Sequence, residues 1–134
     1  DALGENGARV VAIAGNNDTE RHWPAADHAL MHTLPASATL ELPGGRLRVV
    51  HGHHLPARSR HRRLRAASPD VAVILVGHSH RRVIDDAEVP WVLNPGAAGR
   101  SRAHGGPGCL VLNAAAAGWT VETHAFDALP RRRT

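Results

Sequence analysis

At 134 residues, 43% of them hydrophobic, the chain is long enough to bury one core and too short to suggest two. Its formal charge is +4 and all 16 basic residues are arginine, while three Trp, one Phe and no Tyr leave little from which to build a base-stacking platform. A single cysteine, Cys109, excludes an internal disulfide framework and a thiolate zinc knuckle, so a metal would have to rely on His, Asn and carboxylates.

No apolar run approaches the roughly 20 residues needed to cross a bilayer, and the start lacks the basic-then-apolar layout of a secretory signal. These features lead us to expect a soluble, cytoplasmic protein without a membrane partner. Arginine without lysine, beside abundant Ala, Gly and Pro, fits GC-rich coding, so the high isoelectric point is weak evidence for nucleic acid. The chain opens on Asp1 with DALGENGARV, which reads as a helix end running straight into a strand. That opening leads us to expect an N-terminally cut domain spanning residues 1–127, followed by a disordered Arg-rich tail, 128–134.

In chain order, residues 9–14 form an apolar, partly β-branched run expected to be a buried strand that ends in GNND, 15–18. Residues 25–32, after Pro24, predict a helix. Residues 39–42 and 46–50 alternate around PGG and predict a hairpin that delivers HGHH, 51–54. Residues 58–67 predict a basic helix, and 71–76 a second continuous apolar strand of the buried type that delivers GHSH, 77–80. A short strand is expected over 88–93, a turn at NPG, 94–96, and a closing hairpin from 109–112 and 119–126 around NAAAAG. No internal repeat is visible, and this order of elements predicts a layered α/β domain with a mixed sheet.

Three apolar runs thus stop at polar clusters. On a strand, residues i and i+2 share a face, so His78 and His80 can converge where the strand ends. Taken singly, each cluster has a plain reading. Asn and Gly dominate turns, His53 and His54 suit an exposed loop, and GHSH could be two ordinary loop imidazoles. The eleven histidines, six of them between His51 and His80, make the combination harder to dismiss. Trp91, Trp119 and Cys109 read as packing residues, and His22, His28, His32, His104 and His124 as structural ones.

The ordered set GNND, HGHH, GHSH and NPG resembles the calcineurin-like metallophosphoesterases, in particular their small bacterial and archaeal phosphodiesterase branch. The resemblance extends over about residues 8–126. It implies a β-sandwich flanked by helices in αββα layers, with the first strand missing, and two divalent ions at strand ends. Mn²⁺ is the first expectation, with Fe²⁺, Ni²⁺ and Zn²⁺ as alternatives. Carried over by position, Asn16, His51 and His78 would bind one ion and His80 the other. Asp18 would stand behind them, and Asn17 and His53 would face substrate, with no catalytic group beyond the metal ligands. Two such ions activate a hydroxide and stabilise the leaving alkoxide of an in-line displacement.

The family's Asp-x-His pair and its bridging Gly-Asp have no counterpart before Asn16, and Asp70, Asp85 and Asp86 match neither. Asn17 stands where many relatives carry a histidine proton donor, which predicts a preference for good leaving groups. Ala97 replaces the serine of the usual NPGS. The expected activity is hydrolysis of a small phosphodiester or phosphomonoester, with this chain a truncated, weakly active or inactive form. The alternatives are a non-catalytic scaffold of the same fold, as in a retromer subunit, and an Arg-rich nucleic-acid-binding module built on RSRHRRLR, 58–65. A solvated helix is favoured over the nucleic-acid reading, and association into oligomers is left open.

Overall fold

The computed structural model describes residues 7–99 and 102–127; the expected tail, 128–134, lies outside them. Five strands form one sheet: β1 (Ser37–Leu42), β2 (Gly45–Val50), β3 (Val73–Val76), β4 (Arg82–Asp85) and β5 (Trp91–Pro95), in the order β1-β2-β3-β5-β4. The outer pairs β1/β2 and β4/β5 are antiparallel, and the inner pairs β2/β3 and β3/β5 are parallel. Parallel neighbours end on the same side of a sheet, and this brings Val50 opposite Val76 and leaves His51 and Gly77 side by side just beyond them. A second, two-stranded sheet is the hairpin of β6 (Gly108–Ala115) and β7 (Gly118–Ala125).

The continuous apolar sequence of β3 follows from its burial on both faces. Ile74 and Val76 point to one side, where Val50, Val92 and Val71 meet Leu64 of helix α2 (Arg60–Ala67). Val73 points to the other, where Leu47 and Leu93 pack against Leu110, Leu112, Trp119 and Val121 of the hairpin. Alternation with period two makes this division automatic. Ile74 and Leu93 are 0% exposed, and burying each such side chain contributes about 1.5–3 kcal/mol. Trp119 closes its layer by donating Nε1–H to the Pro43 carbonyl at 2.8 Å, so both strand tryptophans serve packing as expected.

Helix α2 buries only Leu64, so apolar contact alone holds it weakly. Polar pins supply the rest. Arg65 donates to Asp85 Oδ1 at 2.7 Å and to the Pro90 carbonyl at 2.8 Å, and His61 Nδ1 lies 2.7 Å from Asp85 Oδ2. Two residues of the basic segment are therefore engaged in docking the helix on the β4–β5 end of the sheet.

Several expectations need correction. Residues 9–14 form no strand; Val10 and Val11 are 43% and 37% exposed, and the Ala14 amide bonds to the Pro35 carbonyl at 2.8 Å. An apolar run needs a neighbouring strand to become one, and none lies beside it among the described residues. The helix expected over 25–32 is a 3₁₀ turn, Ala25–Asp27, followed by the single-turn α1 (His28–Met31). Strand β4 was not anticipated, because RVID carries a charge at each end. β5 starts later than expected and takes in Asn94 and Pro95, so the turn begins at Gly96, where φ is +83°. No helix among the described residues is long and apolar enough to cross a membrane.

Candidate functional site

The ends of β2, β3 and β5 carry HGHH, GHSH and NPG, and three backbone devices arrange them. Gly52 has φ +84°, and a Cβ there would lie 2.6 Å from Val76 Cγ2, so only glycine lets the chain turn beneath His53. His78 and His80 also take positive φ, 64° and 56°, a conformation costing about 1–2 kcal/mol for residues with a Cβ. Asn94 offsets that strain. It is 3% exposed, and its Nδ2 donates to the Gly77 carbonyl at 2.8 Å and to Ser79 Oγ at 3.1 Å, while its Oδ1 accepts from the Gly96 amide at 2.9 Å. One buried amide therefore fastens GHSH to NPG.

The imidazoles converge as the strand-end argument requires. His51 and His78 have ring centroids 5.1 Å apart at 71°, and His53 joins them at 5.1 Å from His51 and 6.3 Å from His78. His51 Nδ1 and His53 Nδ1 are 3.0 Å apart, a hydrogen bond that requires one of the two to carry the proton. The Gly77 amide bonds to the His51 carbonyl at 3.3 Å, tying the two loops together. His54 is exposed and its ring stacks edge-on against His53, 5.6 Å away.

Burial pushes the His51 pKa down, and the nearby His78 and His53 lower it further, against an opposing pull from Asp18. His78 is also lowered, first by desolvation and then by the charge of Arg60 and by His53 and His80. Both rings are thus kept in the neutral form, which is the form that binds metals. His80 is partly buried, and its Nδ1 has no hydrogen-bond partner among the described residues, as a nitrogen reserved for a ligand would be.

The GNND turn abuts this cluster from above. A Cβ on Gly15 would lie 2.9 Å from His51 Cδ2 and 3.0 Å from its Nε2. Asp18 accepts from the Gly15 amide at 2.5 Å and from Trp23 Nε1 at 2.9 Å, so both its oxygens orient the turn and neither bonds to an imidazole. Asn16 and Asn17 are exposed, with the Asn16 amide donating to Asn17 Oδ1 at 3.3 Å. Among the described residues no three His, Cys, Asp or Glu side chains form a metal-holding group. Any ion bound here would draw on His51, His78 and, on the adjoining turn, Asn16, with His80 as a further imidazole nearby.

Sequence reasoning missed two residues of this site. Arg60, the first residue of α2, donates Nε–H to the Gly52 carbonyl at 3.1 Å and Nη2–H to the Leu55 carbonyl at 3.0 Å. It holds the HGHH loop at Gly52 and at Leu55 just beyond it. Its signal was hidden in an arginine-rich helix, because its partners are backbone carbonyls that no motif can display. Asn94 was visible as the head of NPG, but a turn was the simpler reading.

Comparison with known proteins supplies the family. The model for the calcineurin-like phosphoesterase superfamily domain matches residues 1–117. The chain belongs to this superfamily. Among solved structures, a Vps29 from Entamoeba histolytica complexed with Zn²⁺ superposes with a TM-score of 0.67 at 18% identity over 91% of this chain. A structure described as a novel archaeal phosphodiesterase gives 0.63 at 23% identity, again over 91% of the chain and over 73% of its own length. A protein from Thermotoga maritima solved by NMR gives 0.58 at 24% identity, over 93% of this chain and 71% of the other. At these identities the likeness is one of fold. The calcineurin-like chain spans 66% of the Entamoeba Vps29, just under two thirds. A search of curated proteins finds no match. The expected family and its layered α/β fold are both present, and the family binds divalent metals.

Proposed function

We propose that this chain is a metal-dependent phosphoesterase that cleaves a P–O ester bond, with phosphodiesters preferred. The observation that carries the reading is the meeting of His51 and His78, both held neutral, at the ends of adjacent parallel strands. A divalent ion held there, Mn²⁺ by first choice and Fe²⁺, Ni²⁺ or Zn²⁺ otherwise, would supply Lewis-acid activation of water and offset charge on the phosphoryl oxygen.

The chain's own part is tautomer, position and proton supply. When His51 Nδ1–H donates to His53 Nδ1, the His51 Nε2 lone pair is left bare on the side facing the GNND turn. The same bond puts the remaining proton of His53 on Nε2, where it can donate to a phosphoryl oxygen. His53 thereby orients a ligand and faces substrate at once. Asn17 offers an amide N–H but no titratable proton, so an alkoxide leaving from its side departs unprotonated. Activated esters are consequently the better substrates.

The test is hydrolysis of bis-p-nitrophenyl phosphate by this chain with Mn²⁺, with chelator-treated protein and His78→Ala as controls. Turnover that needs the ion and falls at least about a hundredfold in His78→Ala supports the reading. A folded chain inert with all four ions refutes it. A non-catalytic scaffold of the same fold is the second reading. It is favoured by the finding that no three His, Cys, Asp or Glu side chains among the described residues form a metal-holding group.

A further inference from the structure

The imidazole cluster opens into a groove that the proposed reaction leaves unassigned. A hollow of about 240 Å³ begins at Gly15, His51 and His53 and runs over Leu34 and Ala36 to His54. A second, of about 230 Å³, shares Ala36, Val50 and His54 with the first and continues between β2 and α2 to Arg48 and Arg63. The two adjoin along Ala36, Val50 and His54, and together they make a channel-like groove with imidazoles at one end, an apolar middle, and two guanidinium side chains at the other. No carboxylate lines either part.

On β2 and α2 the fold engages Arg46, Arg60 and Arg65, whereas Arg62 and the two arginines at the far end have no such partner among the described residues. Arg46 is paired with Asp70 at 2.5 Å, Arg65 with Asp85 at 2.7 Å, and Arg60 is committed to two loop carbonyls. Arg48 and Arg63 make no ion pair or side-chain hydrogen bond with another described residue. Two like charges lining one hollow repel each other, and an anion there would offset the repulsion. Arg48 follows the strand alternation that also turns Val50 toward α2, so its position on this face is set by the sheet and not by a mobile loop.

Resting on the phosphoesterase reading of the imidazole end, we infer that the channel binds a nucleotide-like diester carrying a second phosphate. The scissile ester would lie at His51 and His53, the organic body over Leu34, Ala36 and Val50, and the distal phosphate between Arg48 and Arg63. Guanidinium groups suit that terminus because they engage phosphate oxygens in pairs.

A matched pair of substrates tests this: thymidine 5′-(p-nitrophenyl phosphate) with and without a 3′-phosphate, in the presence of Mn²⁺. The 3′-phosphate is expected to raise kcat/KM about tenfold, mainly through KM. The double variant Arg48→Gln, Arg63→Gln should bring the ratio of the two substrates close to one. Arg62→Gln, on the same helix but outside the channel, should leave the ratio as it is. Equal kcat/KM in the unaltered chain, or a ratio lowered as much by Arg62→Gln as by the double variant, overturns the inference. If neither ester is hydrolysed, the phosphoesterase reading fails and the channel is judged by calorimetric binding. Thymidine 3′,5′-bisphosphate held about tenfold more tightly than thymidine 5′-monophosphate, with the difference lost in the double variant, supports the channel; equal binding overturns it.

Discussion

Gly52 concentrates the residue-scale demands of the site. Its φ of +84° and the nearness of Val76 Cγ2 to any added Cβ leave no room for a side chain. Gly52→Ala should lower stability by about 2–4 kcal/mol, combining left-handed strain with overpacking. Urea denaturation would measure it, and a loss below about 0.5 kcal/mol would mean that the loop re-forms at no cost. The histidines were legible beforehand because an apolar run followed by a lone polar residue marks where a strand stops, and His51 and His78 each sit at that stop. Arg60 was not legible, nor was the fastening role of Asn94, since both depend on partners whose positions are set by the whole sheet. Asp18 shows the same limit from the other side. Its place in GNND suggested a partner for a ring, whereas its oxygens face the Gly15 amide and the Trp23 indole.

Among the elements, α2 buries a single side chain, Leu64, and depends on polar anchorage. The Arg65 hydrogen bond holds the Asp85 carboxyl below its ordinary range, with His61 adding to the effect and burial opposing it. A carboxyl lowered in the folded state contributes stability that is complete above its unfolded pKa and is lost as pH falls through the folded value. Arg65→Met should accordingly cost about 1–3 kcal/mol near pH 7, and the gap to the unaltered chain should narrow near pH 2. Denaturation at the two pH values decides it; an unchanged gap would assign the effect to packing of the arginine stem. The hairpin of β1 and β2 and that of β6 and β7 were predictable from alternation about Gly-containing turns. Residues 9–14 and β4 were not. Apolar sequence alone cannot say whether a neighbour is present, and four residues bounded by Arg82 and Asp85 show no periodicity strong enough to outweigh their charges.

At the scale of the molecule, the layers explain why the site is where it is. Helix and hairpin cover opposite faces of β2, β3 and β5, so the rim where those parallel strands end is the place left for polar groups. Among the described residues, edge strands β1 and β4 each have a neighbour on one side only, while β3 is bonded on both sides and buried on both faces. Native-state amide hydrogen exchange should therefore be slowest in β3 and in β2 where it faces β3, and fastest at the outer edge of β1. Uniform exchange across all five strands would show that they open as one unit. His51 and His78 hang from the slowest pair, and the Gly77 amide bound to the His51 carbonyl joins their loops. The fraying that loosens the rim of the sheet stops short of them, so the imidazoles keep their spacing in every partly opened form that retains the central strands.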